Sequence, residues 1–248
     1  WNLSLAEAGQ INFVYSIGTF IGGLLGGYIS NLIGRKKTIL ACILVFSLSS
    51  ILSGFANGFL SILLLRFITG IGTAGFVVVT NLYLIEMLPS KNRGKWQALV
   101  FSFGAIAGPV ASVLNKAVIS LGPESWRILY FVGGIGIIPF ALGFIWLKES
   151  PRWLVSKDKI AEAEKIVEEI TGIPADLSNQ NNESSRAIPI FTTFKQLFAQ
   201  KNRRNTWVLI SIFWLAYPAY ASLLTWLPVL FSQKGFSIQD TATFSIFC

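Results

Sequence analysis

Arg66 is where a chemical reading of this chain starts. It lies in Arg66-Phe-Ile-Thr69-Gly70-Ile-Gly72-Thr73-Ala-Gly75, inside an apolar run that continues through Asn81 to Glu86, Pro89 and Arg93-Gly94. A guanidinium stays protonated and presents five donors in a rigid fork. Placing such a charge in hydrocarbon costs roughly 2.5–3.5 kcal/mol on insertion scales, so it belongs at a bundle interior or a watery cavity. There it can bind a carboxylate, donate to solute hydroxyls or hold a proton-carrying acid ionised. The competing role is a structural pairing with a carboxylate or carbonyls elsewhere in the bundle. Gly70 and Thr73 join Arg66 as candidate substrate contacts, as do Tyr217 and Tyr220 of a later span.

Gly70, Gly72 and Gly75 also spell G-x-G-x-x-G, the pattern of a dinucleotide-binding loop. That loop must follow a short strand and open a helix, whereas these glycines sit within one long apolar segment. Close approach of a neighbouring helix is the expected use. The chain has no histidine and two cysteines, Cys42 and Cys248. A Cys/His metal site and imidazole catalysis are therefore excluded, and no nucleophile, base and orienting group occur together. We expect no enzyme and no cofactor.

The elements that must position these residues are membrane helices. Of the residues, 53% are hydrophobic and 13% charged, and the mean hydropathy is +0.60. These values describe a polytopic helical membrane protein. Six runs reach the roughly 20 residues needed to cross hydrocarbon: 10–32, 38–56, 59–85, 96–118, 126–147 and 207–231, with another starting near Ile238.

The net charge of +8 does not point to nucleic acid, because the bases cluster between apolar runs. Arg35, Lys36 and Lys37 fill the first connection, Lys91, Arg93 and Lys95 the third, and ten more bases the stretch 148–204. The alternate connections are nearly bare, so the basic ones are expected in the cytoplasm and Trp1 outside.

Small residues at Gly18, Gly22 and Gly26 line one stripe of the first span and permit tight helix crossing. Gly104 and Gly108 do the same in the fourth. Pro109, Pro139 and Pro218 lie inside spans and mark bends. In the long basic connection, Ile160, Ala163, Val167 and Ile170 recur at helical spacing, and Gly172 and Pro174 end the pattern. The stretch 178–185 reads as a polar linker. Ile190, Phe191, Phe194, Leu197 and Phe198 then form a second apolar face bordered by Lys195, Lys201, Arg203 and Arg204, suited to lie on an anionic leaflet. We divide the chain into an N-terminal bundle at 1–147, a cytoplasmic linker at 148–205 and the start of a second bundle at 206–248.

Four ordered motifs resemble the major facilitator superfamily, in particular its sugar-porter and metabolite (niacin and aromatic-acid type) symporter branch. Gly27-x-x-x-Asn31-Leu32-x-Gly34-Arg35-Lys36 is similar to the family's G-x-x-x-D-R-x-G-R-R/K loop. Arg66-x-x-x-Gly70-x-Gly72 with Glu86-x-x-Pro89-x-x-x-Arg93-Gly94 matches its fourth helix and the loop after it. Trp126-Arg127 looks like the W-R opening of its sixth helix, and Glu149-Ser150-Pro151-Arg152-Trp153-Leu154 the segment closing it.

The resemblance implies an all-α membrane bundle, part of a twelve-helix, six-plus-six fold, covered here from about the second helix to the start of the eighth. It also implies a conformational gate at Asn31, Gly34, Arg35, Lys36, Glu86, Arg93, Gly94, Glu149 and Arg152. Two positions depart from the pattern. Asn31 and Leu32 replace an acid and a base, and the sugar porters' Gln-Gln pair is absent near Leu215-Ala216. Instead, Tyr217, Tyr220 and Thr225-Trp226-Leu227-Pro228 are similar to the metabolite-acid branch.

The expected function is secondary transport of a small polar organic metabolite, organic acid or sugar-like, coupled to protons. Expected partners are that solute, protons, the lipid bilayer and the remainder of the same chain. No Asp or Glu lies in the middle of any of the six spans, so a proton-carrying carboxylate is expected outside this sequence. The rival readings are a uniporter or exporter of the same fold and a solute receptor that does not transport.

Overall fold

A computed structural model describes residues 4–88, 92–119, 121–122, 124–174, 176–177, 198–200, 202–216, 230 and 234. Among them the regular structure is helical. The helices are α1 (Leu5–Ile33), α2 (Arg35–Gly54), α3 (Phe59–Met87), α4 (Arg93–Ala105), α5 (Ala107–Ile119) and α6 (Trp126–Gly133). A 3-10 turn at Gly134–Gly136 leads to α7 (Ile137–Trp146), α8 (Pro151–Ser156) and α9 (Ile160–Thr171). Residues 203–216 form a further helix. Among the described residues five segments are long and apolar enough to cross a membrane: Ala6–Ile33, Arg35–Gly54, Phe59–Met87, Arg93–Val118 and Trp126–Trp146.

These segments agree with the first five apolar runs and explain where their ends fall. α1 starts ahead of residue 10 because Ser4 and Glu7 form a capping box: the Glu7 N–H donates to Ser4 Oγ at 3.3 Å, and the Ser4 N–H to Glu7 Oε2 at 2.8 Å. The fourth and fifth spans are each interrupted near a proline. Pro109 offers no N–H to the carbonyl of Ala105, where α4 ends, and Pro139 none to that of Ile135, inside the 3-10 turn. The sixth run is described only to residue 216. Tyr217, Pro218, Tyr220 and the leaflet-binding face from Ile190 to Leu197 lie outside the described residues.

Two compact units separate by their internal contacts: Trp1–Leu99 with Trp126–Ala187, and Val100–Ser125 with Ile188–Cys248. In the first, α1 and α3 run side by side in the same direction. Gly18, Gly22 and Gly26 meet Phe67, Ile71 and Gly75, so each contact advances four residues on both helices. A Cβ at Gly22 would overlap the backbone of Ile71, and one at Gly26 would lie 2.7 Å from the Gly75 Cα. Gly72 serves the same close approach against Cys42 and Phe46 of α2, and Gly75 lies between α1 and α2, near Gly26 and Cys42 Sγ.

α2 packs in turn on α6 and the 3-10 turn through Ser50 and Ser47. Ser47, Ser49, Ser50 and Ser53 are all buried. A Cβ on Gly133 would strike Ser50, and one on Gly136 would strike Ser47. Ser50 Oγ donates to the Tyr130 carbonyl at 2.9 Å. Small hydroxyl residues at helix contacts, with large apolar side chains such as Phe13, Phe20 and Leu60 left exposed, are what a lipid-facing bundle requires.

α8 and α9 lie at the end of this unit where α1 meets α2. Ser150 caps α8 by accepting the Trp153 N–H at 3.3 Å, with Pro151 at the first helical position. α9 has the bounds its apolar spacing predicts and ends at Gly172 in the left-handed region, φ +69°.

The second unit comprises α5, the end of α4 and the 203–216 helix. Its apolar side chains are mostly exposed, including Phe103, Phe213 and Trp214. Phe198 meets Trp207 edge to face, with ring centroids 5.7 Å apart.

Candidate functional site

Two groups of polar residues are held along α3, one at its C-terminal end and one between Arg66, about two turns in from the other end, and Thr73 at its middle. The first is built around Arg35, the opening residue of α2. Its Nε donates to Glu86 Oε2 at 2.9 Å and its Nη2 to Glu86 Oε1 at 2.8 Å, a bidentate pair. Nη1 donates to the Ser30 carbonyl at 2.9 Å. Both charged side chains are 8% exposed, so neither ion is solvated by bulk water. Removing one partner of such a pair typically costs 3–5 kcal/mol.

Glu149 completes this group from the far end of the sequence. Gly34, the residue before α2, has no side chain to cap the helix. Glu149 Oε1 takes that role, accepting the N–H groups of Arg35 at 2.7 Å, Lys36 at 3.0 Å and Ser150 at 3.0 Å. A carboxylate at a helix N-terminus also meets the positive end of the helix dipole. Gly34 adopts φ +104°, and a Cβ there would collide with the Glu149 carboxylate. Trp153 Nε1 donates to the Asn31 carbonyl at 3.0 Å, and Tyr83 Oη to the Lys148 carbonyl at 3.0 Å. The ends of α1, α2 and α3 are thus tied to the segment leading into α8.

The remaining expected gate residues take other places. Asn31 takes part through its main chain, and Lys36 lends its backbone N–H to Glu149. Arg93 and Arg152 line a cavity that Glu86 also faces. Gly94 is exposed, with nothing within 4 Å of an added Cβ.

The second group surrounds Arg66. Its guanidinium lies over the Tyr130 ring, 4.4 Å from the centroid, a contact worth about 0.5–2 kcal/mol. Arg66 Nε is buried and has no hydrogen-bond partner among the described residues. Next to it on α3, Thr69 Oγ1 bonds Ser49 Oγ at 2.9 Å, and Thr73 Oγ1 lies 3.2 Å from Tyr15 Oη. Gly70 lies against α1, where a Cβ would collide with the Tyr15 carbonyl. α1, α2, α3 and α6 therefore all contribute hydroxyl or aromatic groups to this region.

Sequence reasoning passed over Arg127 as a structural residue. Its Nη1 donates to the carbonyls of Gly54 at 2.7 Å and Ala56 at 3.2 Å, where α2 ends. A cation on unpaired carbonyls at a helix C-terminus stabilises that end. The sign of this role was the placement of Arg127 at a span end facing a connection, Asn57-Gly58, that holds no base of its own.

A helical bundle of this kind, with an ion-paired end and a buried arginine, has the fold of a major facilitator superfamily transporter. The proton:xylose symporter XylE of E. coli superposes with a TM-score of 0.69 at 21% identity, over 99% of this chain and 60% of that one. The sugar (and other) transporter family profile matches residues 4–248, and the chain belongs to that family. YyaJ of Bacillus subtilis (strain 168) is 30% identical over 255 residues, 99% of this chain and 55% of YyaJ. The niacin transporter NiaP of Acinetobacter baylyi is 27% identical over 245 residues, 97% of this chain and 55% of NiaP. The chain spans about half the length of these curated relatives. It is a multi-pass membrane protein of a transporter family, not an enzyme.

Proposed function

We propose that this chain works within a secondary active transporter that moves a small polar organic metabolite, an organic acid or sugar-like solute, by alternating access coupled to protons. The observation that carries this reading is Arg66, a half-buried guanidinium whose Nε is buried and unmatched among the described residues, close to the hydroxyls of Ser49, Thr69, Thr73 and Tyr15. A fixed charge inside a membrane bundle is a functional site by default. Arg66 and Thr73, with Gly70 admitting the backbone of α1, form one wall of the solute path, and Tyr217 and Tyr220, outside the described residues, are candidate substrate contacts on the sequence alone. Substrate sits near the midplane between two helical halves that rock about it. NiaP is a niacin transporter and XylE a proton:xylose symporter, which favours an organic acid or a sugar-like solute and proton coupling.

The basic connections face the cytoplasm in this reading. Arg35, Glu86 and Glu149 then form the inner gate, which holds α1, α2, α3 and α8 together while the path opens outward and parts as it opens inward. The test is uptake by the full-length protein in proteoliposomes, using monocarboxylates, aromatic acids and sugars, with and without an inward proton gradient. Accumulation of one class driven by the gradient is expected. Equilibration indifferent to the gradient would replace the symporter with a uniporter, and no uptake by folded protein would favour a receptor.

A further inference from the structure

A cavity of about 470 Å3 opens beside α9, bounded by the end of α3, the start of α4 and α8. That volume falls within the roughly 300–1,000 Å3 of small-molecule sites. Val155, Val167 and Ile170 make one side of it apolar, while Arg93 and Arg152 bring two guanidinium groups. Glu86 also faces it, but both of its carboxylate oxygens are engaged by Arg35. Arg93 Nε is buried and without a hydrogen-bond partner among the described residues. Arg152 is exposed, and no described carboxylate pairs with it. The cavity therefore offers unmatched donors and positive charge next to an apolar wall.

We propose that this cavity binds a small organic carboxylate, its acid group held by Arg93 and Arg152 and its apolar body laid on Val155, Val167 and Ile170. A guanidinium fork matches a carboxylate in geometry and charge. A doubly charged phosphate would face greater repulsion from Glu86, which favours the monoanion. The site is separate from the solute path. Arg66 and Glu86 lie twenty residues apart on α3, about 30 Å at the helical rise. Resting on the gate reading above, a ligand here ties α3 and α4 to α8 and α9 and favours the shut inner gate, so a cytoplasmic acid would slow its own or another solute's uptake.

The test is equilibrium binding of radiolabelled hexanoate to the full-length protein in nanodiscs of phosphatidylcholine. Saturable binding is expected to persist in Arg66→Ala and to weaken at least tenfold in Arg152→Gln and in Val167→Phe, which fills the apolar side. Arg152 is exposed, so its variant is expected to fold even where Val167→Phe does not. Loss of binding in Arg152→Gln, with hexanoate leaving solute uptake by the parent unslowed, would keep the site and count against its action on the gate. Binding lost in Arg66→Ala but intact in Arg152→Gln and Val167→Phe would overturn the proposal by placing hexanoate in the solute path. Absence of saturable hexanoate binding at millimolar concentration would overturn it, and retention of phosphatidylglycerol through Arg152 in a second set of nanodiscs containing that lipid would assign the cavity to a lipid headgroup instead.

Discussion

Glu149 accepts the backbone N–H of Arg35 at 2.7 Å across 114 residues of sequence. The same oxygen accepts from Lys36 and Ser150, so one carboxylate caps α2 and fixes the turn into α8. Glu149→Ala leaves these N–H groups to water or unpaired. We expect a loss of about 1–3 kcal/mol, read as a lower thermal unfolding midpoint in detergent micelles. An unchanged midpoint would show that the cap contributes nothing.

Arg35 and Glu86 form a bidentate pair with both side chains 8% exposed. Glu86→Gln is expected to cost about 3–5 kcal/mol by leaving the guanidinium uncompensated, and replacing both residues by methionine to cost less. In transport, Glu86→Arg should inactivate, and the added Arg35→Glu should restore part of the uptake rate. Rescue by Arg152→Glu rather than by Arg35→Glu would assign the gate to a different pair.

Gly34→Ala introduces a Cβ at φ +104°, directly against Glu149. Backbone strain of this kind costs about 1–3 kcal/mol, and displacement of Glu149 adds the loss of the α2 cap. The strain persists in a Glu149→Ala background but the loss of the cap does not recur there, so Gly34→Ala should destabilise less in that background than in the parent. Full additivity in that double-mutant cycle would contradict the coupling.

Gly22 allows α1 to lie against the backbone of Ile71. Gly22→Leu is expected to push the two helices apart and abolish folded protein, as judged by monodisperse elution after extraction. Gly94→Leu, where an added Cβ meets nothing within 4 Å, should elute as the parent does. Equal behaviour of the two would argue against tight packing of α1 on α3.

The sequence made the spans legible because hydropathy depends on composition and length, which local order carries. It also exposed the small-residue stripe at Gly18, Gly22 and Gly26, since a four-residue spacing has one structural meaning in an apolar helix. Arg35, Glu86 and Glu149 stood out through a family resemblance, but their pairing depends on contacts 51 and 114 residues apart, which no local pattern encodes. The same holds for Tyr130 under Arg66 and for Arg127 on the end of α2. The breaks at Ile106 and at Gly134–Gly136 followed from proline chemistry, though their positions on the preceding turn needed the structure.

The most direct test is uptake by Arg66→Ala and Arg66→Lys beside the parent, in full-length protein reconstituted at equal amounts in proteoliposomes. We expect background uptake for the alanine variant and a strongly reduced rate for lysine, which keeps the charge but loses the planar fork. Melting midpoints close to the parent's should accompany both. Parental uptake by Arg66→Ala would contradict the central claim that this half-buried guanidinium lines the solute path.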